Sequence, residues 1–324
     1  MSFKKKLKSN YYLKRDIYYN KSDKIKSIQK NTAKAFTFEW TTQNYDFDEI
    51  NKTPWFNRSC QFWDTNFLNW KKVIIKLFNK KKNTYTILDA GCGAGINMLP
   101  ILKKLNNNFE YIGIDVSNSL ISAKKIYDKL KINSTFIKSS FQNFKLSKNS
   151  CDFVFAIGSL HHSDDILKSI KKIIFPLKKN GKFIFWVYKK QNFFRENSDQ
   201  LIRSKITKMN NYDTKDALKD ITDFAKQLHD SKVKIKIFKN FKLLGIKKGN
   251  YSIHNFIFRH LFKSVYNPIL GYSGSFYENF DWYKPDINNT YTSQEIKVIC
   301  RKLNLKINKV FISSSGIGII SSKK

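Results

Sequence analysis

The 324-residue sequence is short of several things, and each shortage narrows what it encodes. Cysteine occurs only at Cys60, Cys92, Cys151 and Cys300, far apart and with no CxxC pair. That spacing argues against a zinc ribbon or a disulfide framework and fits a reducing, cytoplasmic setting. No metal site is expected. No stretch approaches the roughly 18 unbroken apolar residues of a membrane helix. The basic N-terminus, MSFKKKLKSNYYLKRD, lacks an apolar h-region and does not read as a secretory signal. Acids are scarce, 25 against 60 lysines and arginines, for a net charge of +35. Such a surface can attract nucleic acid or acidic membranes. Arginine, however, is confined to Arg15, Arg58, Arg195, Arg203, Arg259 and Arg301, and phosphate and base recognition leans on its planar fork. The abundance of Asn, Ile, Phe and Tyr beside Lys points to an AT-rich coding sequence. A solvated lysine face is therefore the default, with nucleic-acid or membrane binding behind it.

What is present suits one large α/β domain with an insertion. The hydrophobic share is 41%, enough for a full core. Residues 1–30 are polar and without period, which predicts an arm or a loosely held helix. Four tryptophans (Trp40, Trp55, Trp63, Trp70) crowd the next segment, as in a packed lid. From Lys71, strand and helix alternate. YTILDA, FEYIGID, STFIKSS, CDFVFAIGS and NGKFIFWVY read as buried strands. INMLPILKKL, NSLISAKKIYDKLK (capped by Ser117) and DDILKSIKKIIFPLKK (capped by Ser163) read as helices. Residues 189–290 break the alternation. TSQEIKVICRKLN, capped by Ser293 or Thr292, then precedes two strands, LKINKVFIS and GIGIISS, joined by a turn near Ser315 and Gly316. The expected organisation is an arm and aromatic lid (1–70), a core (71–188), a largely helical insertion (189–290) and a completion of the core (291–324). The alternation implies a doubly wound, mostly parallel sheet with right-handed crossovers.

Ligands of such sheets bind at the carboxyl ends of the strands, where strand order reverses. Asp89, the glycine loop of TILDAGCGAG, Asp115 and residues 157–162 all fall at such ends. A phosphate-cradling P-loop needs Gly-Lys-Ser/Thr, which is absent. A dinucleotide fingerprint needs Gly or Ala where Ile96 stands, and Asp89 would repel a pyrophosphate. A nicotinamide oxidoreductase is disfavoured on both counts. An acid beside the loop suits a ligand with a positive end and no phosphate, such as S-adenosylmethionine.

ILDAGCGAG, YIGIDVS, CDFVFAIGSLHH and LKKNGKFIF, in that order, resemble the motifs of the class I S-adenosylmethionine-dependent methyltransferases. KAFTFEW and FDWYKPDINNTYTSQEIKVIC are similar to an F-G-x-E-W element and an F-D-W-x-x-P segment flanking the core in one small-molecule group of that family. The resemblance implies a Rossmann-like fold with a seven-stranded sheet, its last strand antiparallel. It implies that Asp89, Gly91 and Gly93 line the methionine moiety, with Cys92 a small packed member of the same loop. Asp115 would accept from both ribose hydroxyls, and Val116 would pack on the adenine. Where the family often sets an acid against the adenine, this chain has Ser139, Ser140 and Phe141, leaving Ser140 as the candidate. Ile157 and Gly158 would pass beneath the methionine. His161 and His162 read as lining residues or, alternatively, as bases. Tyr272, Tyr277, Asp281 and Trp282 read as lid core or as a roof over the site.

The resemblance thus implies in-line methyl transfer from S-adenosylmethionine, leaving S-adenosylhomocysteine. The acceptor expected is a small molecule or a glycan or lipid precursor, with an anionic one suiting the lysines. Two alternatives stand: an RNA methyltransferase on the same core, and a non-catalytic binding protein with a methyltransferase-like core. Against the first stand the few arginines and the lack of an appended RNA-binding module.

Overall fold

The computed structural model describes residues 7, 10–42, 53–78, 84–105 and 108–324. The residues group into two compact units. One holds the chain up to Lys189 with Asn289–Lys324; the other is Lys190–Asn288.

The first unit opens with β1 (Tyr11–Lys14) and β2 (Ile17–Asn20), an antiparallel hairpin. Its two-residue turn, Arg15 and Asp16, has positive φ at both positions (49° and 57°), which matches the twist of the flanking strands. The expected arm or helix is therefore a hairpin over this stretch. Four-residue strands carry little period of their own; this one is held by parallel pairing of Ile17, Tyr18 and Tyr19 with Phe136, Ile137 and Lys138, far along the chain.

Helix α1 (Ser27–Thr42) follows, then α2 (Pro54–Asn66), which Thr53 caps by accepting from Phe56 N (3.3 Å). After the short α3 (Trp70–Val73) come β3 (Tyr85–Ala90), α4 (Leu99–Leu102), β4 (Phe109–Asp115), α5 (Leu120–Lys129), β5 (Ser134–Lys138), β6 (Cys151–Ile157), α6 (Ile166–Ile173) and β7 (Leu177–Tyr188). In the second unit lie α7 (Phe193–Ile206), α8 (Asn211–Asp230), β8 (Lys234–Ile237), β9 (Gly249–Ser252), α9 (Ile253–His260) and α10 (Gly271–Tyr283). The first unit is then completed by α11 (Ser293–Lys302), β10 (Leu305–Ile312) and β11 (Gly316–Lys323).

The sheet runs β1-β2-β5-β4-β3-β6-β7-β11-β10. The expected seven-stranded, mostly parallel sheet is its β5-to-β10 portion, and the N-terminal hairpin lengthens it to nine strands. β11 lies between β7 and β10, antiparallel to both. All six residues of β3 are buried, as are most of β4 and β6, because helices cover both faces of a parallel sheet. The chain leaves β3 for β4 and β5, then returns to the other side of β3 as β6. Strand order therefore reverses between β3 and β6.

Two expected caps are corrected. Asp165, with extended backbone, caps α6 by accepting from Lys168 N (2.9 Å), while the Ser163 hydroxyl pairs with Ser169 Oγ (2.7 Å). Ser117 does not cap α5: Ser119 holds the N-cap position, and the Ser117 hydroxyl donates to Asp115 and accepts from Ser119 N (3.3 Å). The helix expected to run to Lys179 stops at Ile173, ahead of Pro176, which cannot donate within a helix. Thr292 and Glu295 form a reciprocal capping box at α11.

The second unit is organised around buried charge. Arg195 Nε donates to Asp199 Oδ2 (3.1 Å), and Asp199 Oδ1 accepts from Tyr283 Oη (2.9 Å) and Lys263 N (2.7 Å). A carboxylate so fully bonded offsets much of its desolvation cost. Among the described residues, no helix is long and apolar enough to cross a membrane.

Candidate active site

The site is built where β3, β4, β5 and β6 end. Past Ala90 the chain turns into the glycine loop. Gly91 N and Cys92 N both donate to Ile114 O (2.7 and 3.0 Å), prolonging the β3–β4 pairing into the turn. Gly91 has φ 76°, and a Cβ there would lie 2.3 Å from Ser159 Cβ, so only glycine fits. The same serine donates to Ala90 O (2.6 Å), tying the end of β3 to the end of β6 across the reversal. Gly158, with φ 75°, has open space where a Cβ would stand; Ile157 before it is buried. The loop is thus closed beneath by Ser159 and open at Gly158.

Asp115 ends β4, half-buried. Its Oδ2 accepts from Gly93 N (2.9 Å), and its Oδ1 from Ser117 N (2.8 Å) and Ser117 Oγ (2.7 Å). A carboxylate offers about four acceptor sites. One therefore remains, and a second is freed when the Ser117 hydroxyl turns toward Ser119 Oγ, its other neighbour. Val116 is half-buried beside it.

Asp89 lies deeper. It is 3% exposed, accepts from the Tyr111 hydroxyl (2.7 Å), and burial, with the Asp115 charge adding, pushes its carboxyl up to about 7. Cys92 is buried beside these acids, and burial holds its thiol well above the ordinary range. It is a packing residue here, not a ready thiolate.

At the end of β5 the structure supplies what the local sequence lacks. Ser140 N and Oγ both donate to Asp23 (2.7 and 2.6 Å), and Asn143 Nδ2 joins them (2.7 Å). An acid therefore does stand at this strand end, delivered from 117 residues earlier in the chain. Sequence reasoning missed it because nothing near KSDK signals the pairing. Ser139 is buried and takes a bond from Asn20 Nδ2 (3.1 Å); Phe141 reaches the glycine loop, its ring tip 3.0 Å from a Cβ position at Gly91.

Helix α1 is pinned across these strand ends. Asn118 N donates to Thr37 Oγ1 (3.0 Å), Ser122 Oγ to Trp40 O (3.2 Å) and Gln29 Nε2 to Asp164 Oδ1 (2.6 Å), while Lys26 pairs with Asp164 at 2.9 Å. Trp40 covers Gly93, its Nε1 3.5 Å from the Cβ position there. One helical turn earlier, Phe36 meets the His162 ring edge-on at 4.7 Å. Trp40 was another residue that motif spacing did not single out as part of the site.

The two histidines part company. His161 is fully buried, its ring 3.8 Å from that of Tyr188, and its carbonyl accepts from Asn289 N (2.9 Å). His162 is half-buried and faces α1. The residues considered as a roof, Tyr272, Tyr277, Asp281 and Trp282, belong to α10 of the second unit. There Trp282 is buried, with Lys263 Nζ 4.7 Å and the Arg195 guanidinium 5.6 Å from its ring.

Residues 81–240 match a protein family described as a methyltransferase domain. Just under half of the chain is thus similar to a methyltransferase domain. The methyl donor such a domain takes is S-adenosylmethionine, and the residues present fit it: open space at Gly158, a half-buried acid with acceptor sites to spare at Asp115, and no cationic phosphate clamp in the loop. The domain is similar to the demethylmenaquinone methyltransferase of Staphylococcus saprophyticus, 25% identical over 115 residues, 36% of this chain and 49% of that protein. It is also similar to malonyl-[acyl-carrier protein] O-methyltransferase 1 of Ilyobacter polytropus, 26% identical over 144 residues, 43% of this chain and 52% of that one. The chain thus spans about half the length of the curated relatives it matches. A solved S-adenosylmethionine-dependent methyltransferase from Aquifex aeolicus aligns over 83% of this chain and 98% of its own, at 14% identity and a TM-score of 0.44.

Proposed function

We propose that the protein transfers a methyl group from S-adenosylmethionine to a small-molecule acceptor, of the kind found among glycan or lipid precursors. The observation that supports this best is Asp115, held at the end of β4 by Gly93 N, with one acceptor site left and a second freed when the Ser117 hydroxyl turns to Ser119. The cofactor supplies a methyl group already activated by its positive sulfur. The chain has to bind it, orient it and exclude water. In this reading Asp115 accepts from the ribose hydroxyls and Val116 packs on the adenine. Asp23, with Ser140, offers the acid for the adenine amino group. Gly91, Gly93 and Gly158 let the backbone approach the methionine part. Asp89, with Cys92, shapes the wall below.

In this reading an acceptor that must lose a proton gives it to His162, which is half-buried and faces Phe36 of α1. His161 is locked in the aromatic core by Tyr188 and Trp186. Both relatives named above bear small-molecule or carrier-bound acceptors in their names, which supports the acceptor class.

The test is label transfer. The protein is incubated with methyl-labelled S-adenosylmethionine and, separately, with a small-molecule and lipid extract or with RNA. Label is expected in the extract. Label entering RNA alone would overturn the acceptor class, and label in neither, with cofactor bound, would favour a non-catalytic role.

A further inference from the structure

From Ser231 to Tyr277 the chain has no acid at all. This stretch contains the second unit's hairpin. β8 and β9 pair antiparallel, from Lys234 with Ser252 to Ile237 with Gly249. The segment between them folds back on itself. Phe241 N donates to Ile246 O (2.8 Å), Ile246 N to Phe241 O (3.2 Å) and Gly245 N to Lys242 O (3.2 Å). Gly245 takes the positive φ (65°) that closes such a turn. The tip is therefore built, and it presents apolar side chains outward. Leu243 is 92% exposed and Phe238 74%, with Val233 and Phe241 exposed as well. Lys234, Lys236, Lys239, Lys242, Lys247 and Lys248 are all exposed around them. Charge and apolar surface interleave: Lys236 Nζ lies 5.3 Å from the Phe238 ring and Lys239 Nζ 5.5 Å from that of Phe241.

An apolar tip with no cover is costly in water, and soluble surfaces seldom carry one without use. We propose that this hairpin docks on an anionic lipid bilayer, with Leu243 and Phe238 entering the interface and the lysines meeting the headgroup phosphates. Interfacial anchors combine these two ingredients: apolar side chains at headgroup depth and ammonium groups against a negative surface. A nucleic acid would engage the lysines but leave Leu243 and Phe238 in water. It would also favour forked arginine over ammonium, and the hairpin has none. A second copy of a chain with net charge +35 would meet like charge. The inference is independent of methyl transfer.

The test is co-sedimentation of the full chain with vesicles of phosphatidylcholine alone and of phosphatidylcholine mixed with phosphatidylserine. Binding is expected to the mixed vesicles and to be at least about tenfold weaker on phosphatidylcholine alone. A Phe238→Ser/Leu243→Ser variant is expected to lose at least about fivefold in partitioning while melting at the wild-type temperature, since both side chains are exposed. A Lys239→Gln/Lys242→Gln/Lys247→Gln variant is expected to lose the preference for phosphatidylserine. The inference is overturned by no binding to the mixed vesicles, or by binding that the double variant leaves intact. Retention on single-stranded RNA that outcompetes the vesicles would also overturn it, by assigning the face to nucleic acid.

Discussion

Asp89 is a carboxyl placed where water does not reach, and its response to pH follows from that. Its folded pKa of about 7 stands above the unfolded value near 3.8. Between those values the native state holds a proton that the unfolded chain has released. Stability from this group is therefore full below the unfolded pKa and is lost as pH rises toward 7. Asp89→Asn keeps an acceptor for Tyr111 Oη and removes the titration. The variant is expected to melt higher than wild type at pH 8 and to match it near pH 4. The ceiling of the gain is on the order of 4 kcal/mol, three units or so at 1.36 each. Melting curves of both proteins at the two pH values check this; a constant difference between them would show that Asp89 does not titrate as described. Asp115 is half-buried, with three donors about it. Of these two acids at neighbouring strand ends, only Asp115 reaches the surface to any extent.

Among the elements, α1 brings Phe36 and Trp40 to one side, over His162 and the glycine loop. Residues four apart share a helix face. An indole face beside the loop would attract a sulfonium more than a neutral thioether, as cations are drawn to aromatic rings. Trp40→Leu, which keeps bulk without the ring, is expected to weaken S-adenosylmethionine severalfold more than S-adenosylhomocysteine in calorimetric titrations. Equal loss for both would reduce Trp40 to a space-filler, and tighter binding of both would make it a plug. At this scale the division between what sequence shows and what it hides is plain. The loop TILDAGCGAG and the strands around it are legible because their constraints are local: runs of buried apolar residues, and glycines at positive φ. The hairpin at Tyr11–Asn20 is not, because its stability comes from pairing with β5. Asp23 on Ser140 is hidden for the same reason. Sequence alone points to Ser163 as the cap of α6, though Asp165 can accept from the helix end as well and does so. The Ser163–Ser169 bond, a tertiary detail, decides it.

At the scale of the whole molecule, one unit carries the sheet and the glycine loop. The other carries a helical body around the Arg195–Asp199 pair, with a basic, apolar-tipped hairpin. The +35 charge is then not uniform in meaning. Much of it is solvated lysine, as composition implied, and the hairpin is where charge and apolar surface coincide. The central claim rests on the first unit: that the ends of β3, β4, β5 and β6 hold S-adenosylmethionine through Asp115. Its most direct test is isothermal titration of S-adenosylhomocysteine into wild type and Asp115→Ala. Two charge-assisted bonds at about 1.5–3 kcal/mol each are lost in the variant. Wild type is expected to bind and the variant to bind at least about tenfold more weakly, with its far-ultraviolet circular dichroism unchanged. No binding by wild type at millimolar ligand, or equal binding by both proteins, would contradict the account.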